Sequence, residues 1–266
     1  MCKDNVKEIS SLSPTEQKIY SELYSDRVVT TKDVKKILEK EKIAAEHITN
    51  LRKKGYFKKI RRGLYAISPP DMLDQDEIKP DKFLVASKIK DDYYLSHHSA
   101  LEFHGLAQAL HNRVYITSKT SGRSFTYSGI DYKIITTKHL FGFEKDHHLN
   151  STIKVSDREK TILDCIRTPK YAGGWEELMK SLEMIPNINK KTLLRYLQKI
   201  NEKSLYQKTG FVLENIVLEN FEDISDELLS KVGKRTYYLD KDKESYYVKR
   251  WNLMVPKRFK EWIKSA

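Results

Sequence analysis

Apolar side chains recur at helical spacing near the start of the chain. Ser13 followed by Pro14 is typical of a helix start, and the apolar spacing after it predicts a helix over residues 14–25. Residues 28–29 form a short extended piece, and Thr30 or Thr31 is expected to cap a second helix. The inner positions expected for the two helices are Ile19, Leu23, Val34, Ile37 and Leu38.

A third helix is predicted over residues 44–54, and Gly55 stands where a helix commonly ends. Its expected buried stripe consists of Ala44, Ala45, Ile48 and Leu51. Two short apolar strands follow at residues 56–60 and 64–68, joined by Arg61, Arg62 and Gly63. The order helix, strand, helix, helix and hairpin is that of a winged helix-turn-helix, which we expect over residues 1–68.

Residues 69–81 are rich in proline and acidic side chains, and we expect them to form an extended linker. Residues 82–266 then mix the two periodicities, which predicts a larger α+β domain with a helical C-terminal half. Strands are predicted at 113–118, 125–127, 130–136, 152–155, 237–239 and 246–248. Helices are predicted at 81–90, 96–105, 157–167, 175–185, 190–201, 206–220, 226–232 and 258–264.

Composition narrows the class of protein. The 266 residues are 39% hydrophobic and 32% charged, with a mean hydropathy of −0.63. No apolar run approaches the ~20 residues that a membrane helix needs, and the N-terminus lacks the apolar core of a secretory signal. The two cysteines, Cys2 and Cys165, cannot build a disulfide framework. We therefore expect a reduced protein in the cytoplasm.

Positive charge is concentrated at the two ends of the chain. The net charge is +12: residues 1–68 contribute +7, residues 69–233 contribute −1 and residues 234–266 contribute +6. A localised basic excess is typical of proteins that bind nucleic acid. The basic tail also carries seven aromatic residues, which could grip a single strand, although packing of these rings on the domain is the favoured interpretation.

The third helix and the following hairpin form the candidate DNA-binding surface. Side chains of this type read base edges in the major groove or neutralise phosphates, and residues 44–62 contain seven basic residues against one acid, Glu46. The residues expected to bind DNA are His47, Asn50, Lys53, Lys54, Lys58, Lys59, Arg61 and Arg62. The alternative is an adaptor that uses the winged helix for protein contacts only, with its charge serving solubility.

Enzyme signatures are weak. The histidines at 97, 98, 104, 111, 147 and 148 lack the paired spacing of a metal site on one helix, so no metal and no cofactor are expected. Asp131 and Lys133 on a predicted strand are half of a metal-dependent nuclease signature, but a second acid is not evident. Cys165 is expected to be inert core. We expect no catalytic residue and no enzyme.

Several motifs together resemble the AbiEi antitoxins of type IV toxin–antitoxin (abortive infection) systems. The similar segments are residues 61–67 (RRGLYAI), 95–106 (LSHHSALEFHGL), 114–117 (VYIT), 155–164 (VSDREKTILD), 169–174 (PKYAGG) and 209–214 (TGFVLE). The family often has Arg-Leu-Gly where this chain has Lys208, Thr209 and Gly210.

The resemblance implies a transcriptional repressor of its own two-gene operon. Its expected partner is double-stranded DNA, at inverted repeats in its own promoter. The larger domain would counteract a nucleotidyltransferase-like toxin, and a stable complex with that toxin is not required.

Overall fold

The computed structural model describes residues 11–38, 43–185, 187–216 and 221–264. The chain divides into two compact units. One comprises residues 1–93, 123–133 and 145–153, and the other comprises residues 94–122, 134–144 and 154–266. Cys2 and residues 217–220, the end of one predicted helix, lie outside the described residues. Within the described ranges, no helix combines the length and the hydropathy needed to cross a bilayer.

The winged helix-turn-helix is present in the first unit, as predicted. Its elements are α1 (Pro14–Leu23), β1 (Val28–Thr30), α2 (Thr31–Ile37), α3 (Ala44–Lys53), β2 (Phe57–Arg61) and β3 (Leu64–Ile67). The three strands form an antiparallel sheet in the order β1-β3-β2. The sheet and the three helices share a core to which each element contributes buried side chains, among them Ile19, Val34, Leu51 and Phe57.

Local hydrogen bonds start the first two helices. The Glu16 N–H donates to Ser13 Oγ, and the Ser13 N–H donates to Glu16 Oε2 over 2.9 Å, which completes a capping box. Thr30, rather than Thr31, caps α2 by the same reciprocal arrangement with Asp33. Both pairs lie three residues apart, which is why the sequence indicates these helix starts.

The proline-rich segment after the wing is more ordered than the predicted extended linker. Residues Pro70–Met72 form a turn of 3-10 helix, and Ile78 is buried. The Tyr127 hydroxyl donates to the Ile78 carbonyl over 3.1 Å. The segment belongs to the first compact unit. Independent folding of residues 1–68, with a linker at 69–81 and a domain at 82–266, stays a prediction.

The rest of the chain is mixed α+β, which confirms the predicted fold class. The elements up to the last sheet strand are α4 (Lys82–Ser87), β4 (Tyr93–Leu95), α5 (His97–Phe103), β5 (Arg113–Ser118), β6 (Phe125–Tyr127), β7 (Ile130–Thr136), β8 (Phe143–His148) and β9 (Ser151–Ser156). Strands β4 to β9 form a six-stranded sheet in the order β6-β7-β5-β4-β9-β8.

Helices dominate the C-terminal half, as predicted. The elements are α6 (Arg158–Arg167), α7 (Trp175–Glu183), α8 (Lys190–Ile200), α9 (Lys203–Asn215), α10 (Glu222–Ser230), β10 (Tyr237–Tyr238), β11 (Ser245–Val248), β12 (Leu253–Pro256) and α11 (Phe259–Lys264). The last three strands form a small sheet in which β12 lies in the middle. Gly210 lies on α9 directly against Trp251, because a Cβ there would stand 2.0 Å from the indole ring.

Sequence analysis did not predict three of the strands, namely β4, β8 and β12. Strand β8 lies at the edge of its sheet, and its sequence FEKDHH keeps four of six side chains exposed. An edge strand of this kind shows no apolar alternation, so periodicity could not find it. Strand β4 is buried along its whole length and only three residues long, which is too short for a periodic signal.

A buried ion pair lies under the helices of the second unit. The Lys160 side chain is 1% exposed and pairs with Asp164, one helical turn further along α6. The Lys160 ammonium also donates to the Tyr94 hydroxyl over 2.9 Å, and that hydroxyl donates to Asp164 over 3.0 Å. Each charge therefore keeps polar partners within the core, as a buried charge requires.

Candidate nucleic-acid interface

Helix α3 is anchored by a narrow stripe of three buried residues. Ala44, Ile48 and Leu51 are nearly inaccessible, and their spacing places them on one face. The exposed positions of the helix are Ala45, Glu46, Thr49, Arg52 and Lys53. The expectation that Ala45 is buried was wrong. Two adjacent alanines left the rotation of the helix undetermined, and a shift of one position turns the exposed face by about 100°.

This rotation directs Asn50 and Lys54 towards α1. The Lys54 ammonium lies 2.7 Å from Glu16 Oε2 and also donates to the Ser11 carbonyl over 2.8 Å. The Asn50 side chain lies near the same Glu16 carboxylate and helps to lower its pKa. His47 is half-buried beside them, with an inaccessible Nδ1 atom. These three predicted DNA contacts therefore lie on the flank of α3 that holds it against its neighbour.

The contacts of this flank converge on Glu16 of α1, whose side chain is only 3% exposed. Burial alone would raise the pKa of the carboxyl group. The hydrogen bond from Lys54, the Ser13 N–H bond and the positive charge of Lys54 outweigh burial, and the pKa is lowered from its usual value of 4.5. The carboxylate thus stays ionised and ties the start of α1 to the end of α3.

The wing between β2 and β3 is short and basic. Gly63 occupies its turn with φ of +78°, a conformation that favours glycine. Lys59 and Arg62 are exposed. Lys58 donates to the Leu73 carbonyl over 2.7 Å, and the Arg61 guanidinium lies over the Phe125 ring, 4.8 Å from its centre. The wing therefore offers two exposed cations, and its other two contact the protein itself.

The structure thus separates the eight predicted residues into two groups. Lys53, Lys59 and Arg62 are exposed, whereas His47, Asn50, Lys54, Lys58 and Arg61 make contacts within the protein or are half-buried. Sequence analysis missed Thr49 and Arg52, which lie on the exposed face of α3. A stripe drawn through Ala44, Ile48 and Leu51 alone would have found them.

The basic C-terminal tail divides in a similar way. Trp251, Phe259 and Trp262 are buried, as expected if the aromatic rings of the tail pack on the domain. Tyr238 and Tyr247 are about half exposed. Part of the tail lines a cavity of about 560 Å³ in the second unit. The cavity's charged lining residues are Arg167, Lys170, Lys208, Arg235, Lys241 and Asp240. Five cations against one acid make this cavity suited to an anion.

Within the part of the chain that the structure describes, no group of three candidate metal ligands includes Asp131. Asp131 lies on β7, where the Thr126 hydroxyl donates to its carboxylate over 2.7 Å, and Tyr132 beside it is buried. Among the described residues, the one group of three candidate metal ligands lies elsewhere, at His98, His111 and Glu177.

Cys165 is fully buried, and burial raises the pKa of its thiol well above the usual value. Such a thiol is a poor nucleophile.

Comparisons with known proteins agree with the fold. Residues 21–68, which contain most of the winged helix, match the family model described as "Transcriptional regulator, AbiEi antitoxin". The resemblance to this family is thereby confirmed over that segment, and it supports a regulator or antitoxin role. The description names a regulator and no catalytic activity.

A solved structure extends the similarity of fold to nearly the whole chain. The RV2827C protein from Mycobacterium tuberculosis has 17% sequence identity and a TM-score of 0.63, and the match covers 96% of this chain and 95% of that one. At this identity the likeness concerns the fold alone. None of the curated proteins matches the chain.

Proposed function

We propose that the protein is a DNA-binding transcriptional repressor and the antitoxin of a type IV toxin–antitoxin system. The observation that carries the proposal is the cluster of exposed basic residues on α3 and the wing, within the segment that matches the regulator family. In this role the chain binds double-stranded DNA at inverted repeats in its own promoter, and it acts in the cytoplasm.

The exposed face of α3 enters the major groove, as recognition helices of this architecture do. Thr49 and Arg52 are placed to reach base edges, and arginine can bind guanine with two hydrogen bonds. Lys53 at the end of α3, together with Lys59 and Arg62 on the wing, contacts phosphates. The other predicted residues hold the helix and the wing in position, and those that a bound duplex reaches also contact DNA. They are His47, Asn50, Lys54, Lys58 and Arg61.

DNA titrations at several salt concentrations test this assignment. Replacing Lys59 and Arg62 together with alanine removes two phosphate contacts, so the slope of log affinity against log salt should fall by about two. The matched control, Lys191→Ala with Arg195→Ala, removes the same charge from exposed positions on α8. It should leave the slope unchanged. An unchanged slope in the wing variant would contradict the interface.

Arg52→Ala tests base recognition separately. Losing a two-hydrogen-bond contact to a base costs about 1–3 kcal/mol of discrimination. The ratio of affinities for promoter and unrelated DNA should therefore fall about 5- to 150-fold, with little change for unrelated DNA beyond the loss of one charge. An adaptor that uses the winged helix only for protein contacts would instead show no preference for the promoter in either protein.

The antitoxin role is tested in cells that express a neighbouring nucleotidyltransferase-like toxin. Co-expression of the full chain should restore growth, without a requirement that the two proteins copurify. The variant lacking Lys59 and Arg62 charges should still restore growth when both genes are driven from foreign promoters, because neutralisation belongs to the larger part of the chain. Failure of the wild-type chain to restore growth would contradict this role.

The proposal also holds that the protein has no catalytic activity of its own. Purified protein with Mg²⁺ or Mn²⁺ should leave plasmid, tRNA and single-stranded DNA intact. Cleavage that disappears in Asp131→Ala would establish the nuclease alternative instead.

A further inference from the structure

Three side chains that are far apart in the sequence meet at one point in the second unit. His98 Nε2 lies 3.0 Å from Glu177 Oε1, and His111 Nε2 lies 3.3 Å from Glu177 Oε2. One ligand atom from each of the three residues lies within 4.8 Å of the other two. In a tetrahedral site with bonds of about 2.1 Å, neighbouring donor atoms are about 3.4 Å apart. The spacing is therefore that of a site for one small cation.

Three different segments supply these ligands. His98 lies on α5 and its side chain is fully buried, Glu177 lies in the first turn of α7 and is 17% exposed, and His111 lies before β5 and is 31% exposed. Glu102, one turn after His98 on α5, adds a further negative charge near the imidazole. The pocket is thus electronegative and opens towards solvent on the His111 side.

The backbone makes room for the carboxylate. Gly173 has φ of +82°, and a Cβ at this position would stand 1.7 Å from Glu177 Oε2. Any other residue would displace the carboxylate from the two imidazoles. The Glu177 carboxylate therefore lies between the Gly173 backbone and the His98 imidazole. Two of the three ligands, His98 and Glu177, are already in place.

We propose that His98, His111 and Glu177 bind one Zn²⁺ ion. Two imidazole nitrogens and one carboxylate oxygen are ligands that zinc prefers, and this set of three commonly leaves a fourth position for water. Mg²⁺ and Ca²⁺ prefer all-oxygen sites, so they fit this set poorly. The ion would join α5, α7 and the segment before β5, and the fourth position would face solvent beside His111.

One rearrangement accompanies binding. The rings of His98 and His111 are stacked with centroids 3.7 Å apart and planes 5° from parallel, so the two ring planes do not converge on one point. His98 is buried and stays. His111 lies outside the helices and is partly exposed, and it tilts until its Nε2 points at the same ion as His98 Nε2.

Zinc titration of the full chain, without an affinity tag and after treatment with a chelator, tests the site. Competition against a chromophoric chelator gives the affinity, native mass spectrometry gives the number of ions, and Co²⁺ in place of Zn²⁺ gives absorption bands typical of tetrahedral coordination. We expect one ion per chain. Glu177→Gln keeps the shape of its side chain, and His111→Asn replaces the imidazole with a smaller neutral amide. Each removes one ligand and should weaken binding at least about 100-fold.

His147→Asn is the matched control, because His147 is an exposed histidine of β8 outside the group. It should bind Zn²⁺ as tightly as the wild type. Circular dichroism of the metal-free proteins establishes that the two ligand variants are folded. Absence of a bound ion in the wild type, or equal affinity in the wild type and both ligand variants, would overturn the proposal. In either case the three side chains form only a hydrogen-bonded cluster.

Discussion

The ion pair between Lys54 and Glu16 should set the local stability of the winged helix. The perturbation is Lys54→Met, which keeps the aliphatic stem and removes the charge. The side chains of Glu16 and Lys54 are 3% and 35% exposed, and their charged atoms are 2.7 Å apart. Breaking a fully buried pair from one side costs about 3–5 kcal/mol, and an exposed pair contributes less than about 1 kcal/mol. We expect a loss of about 2 kcal/mol, because this pair is between the two cases.

Hydrogen exchange followed by mass spectrometry is the suitable assay. The three tryptophans of the chain, Trp175, Trp251 and Trp262, all lie in the second unit, so intrinsic tryptophan fluorescence does not report on the winged helix. Peptides from α1 and α3 should exchange about 30-fold faster at pH 7, which corresponds to 2 kcal/mol of opening free energy.

The same pair predicts a dependence on pH. The pKa of Glu16 is lowered in the folded protein, so its ionised form adds stability above the usual value of 4.5. That stability is lost as the pH falls below 4.5 and through the lower folded pKa. Lys54→Met removes part of the lowering, so the difference between the two proteins should shrink as the pH falls below 4.5.

Lys18→Met is the matched control, since Lys18 is exposed on α1 and the change removes the same charge. Exchange in this control should equal that of the wild type. The reasoning is refuted if the opening free energy of Lys54→Met at pH 7 lies within about 0.5 kcal/mol of the wild-type value. It is also refuted if Lys54→Met and Lys18→Met speed up exchange equally.

Two further predictions concern the second unit, and urea unfolding followed by tryptophan fluorescence measures both. Gly210→Ala places a Cβ against Trp251 and should cost about 1–3 kcal/mol through overpacking, whereas Gly233→Ala, with no atom nearer than 3.7 Å, should not be destabilised by crowding. Equal midpoints would contradict the packing. Lys160→Met leaves Asp164 charged, buried and without its cation, and should cost about 3–5 kcal/mol. Adding Asp164→Leu to that variant should recover most of the loss, and a further drop would show that the ion pair is not the cause.

Local signals account for what sequence analysis found in the winged helix. A capping residue acts on an amide three positions away, and Gly55 adopts φ of +84° directly after α3. The helix starts, the basic wing and the resemblance carried by short motifs are likewise properties of contiguous residues. Such features are legible in the sequence, because the interacting groups are close along the chain.

The rotation of α3 is the clearest case that needed the tertiary structure. The sequence contains two adjacent alanines that could each face the core, and in the folded protein Ala44 is buried while Ala45 is exposed. With this rotation Asn50 and Lys54 lie on the side of the helix next to Glu16, which stands 38 residues before Lys54, and Arg52 is exposed. The sequence therefore predicted a basic helix at this position, and tertiary packing determined which face of it is exposed.

The His98, His111 and Glu177 cluster shows the same limit over a longer distance. Sequence analysis weighed the two histidines and rejected a metal because no pair lies on one helical face. The sequence by itself determined the composition, the charge at each end and the local elements of the fold. The tertiary structure alone decided which side chains meet, because Glu177 lies 79 residues after His98. The packing of α7 brings the two side chains within hydrogen-bond distance, and Gly173, which has no Cβ, leaves room for the Glu177 carboxylate.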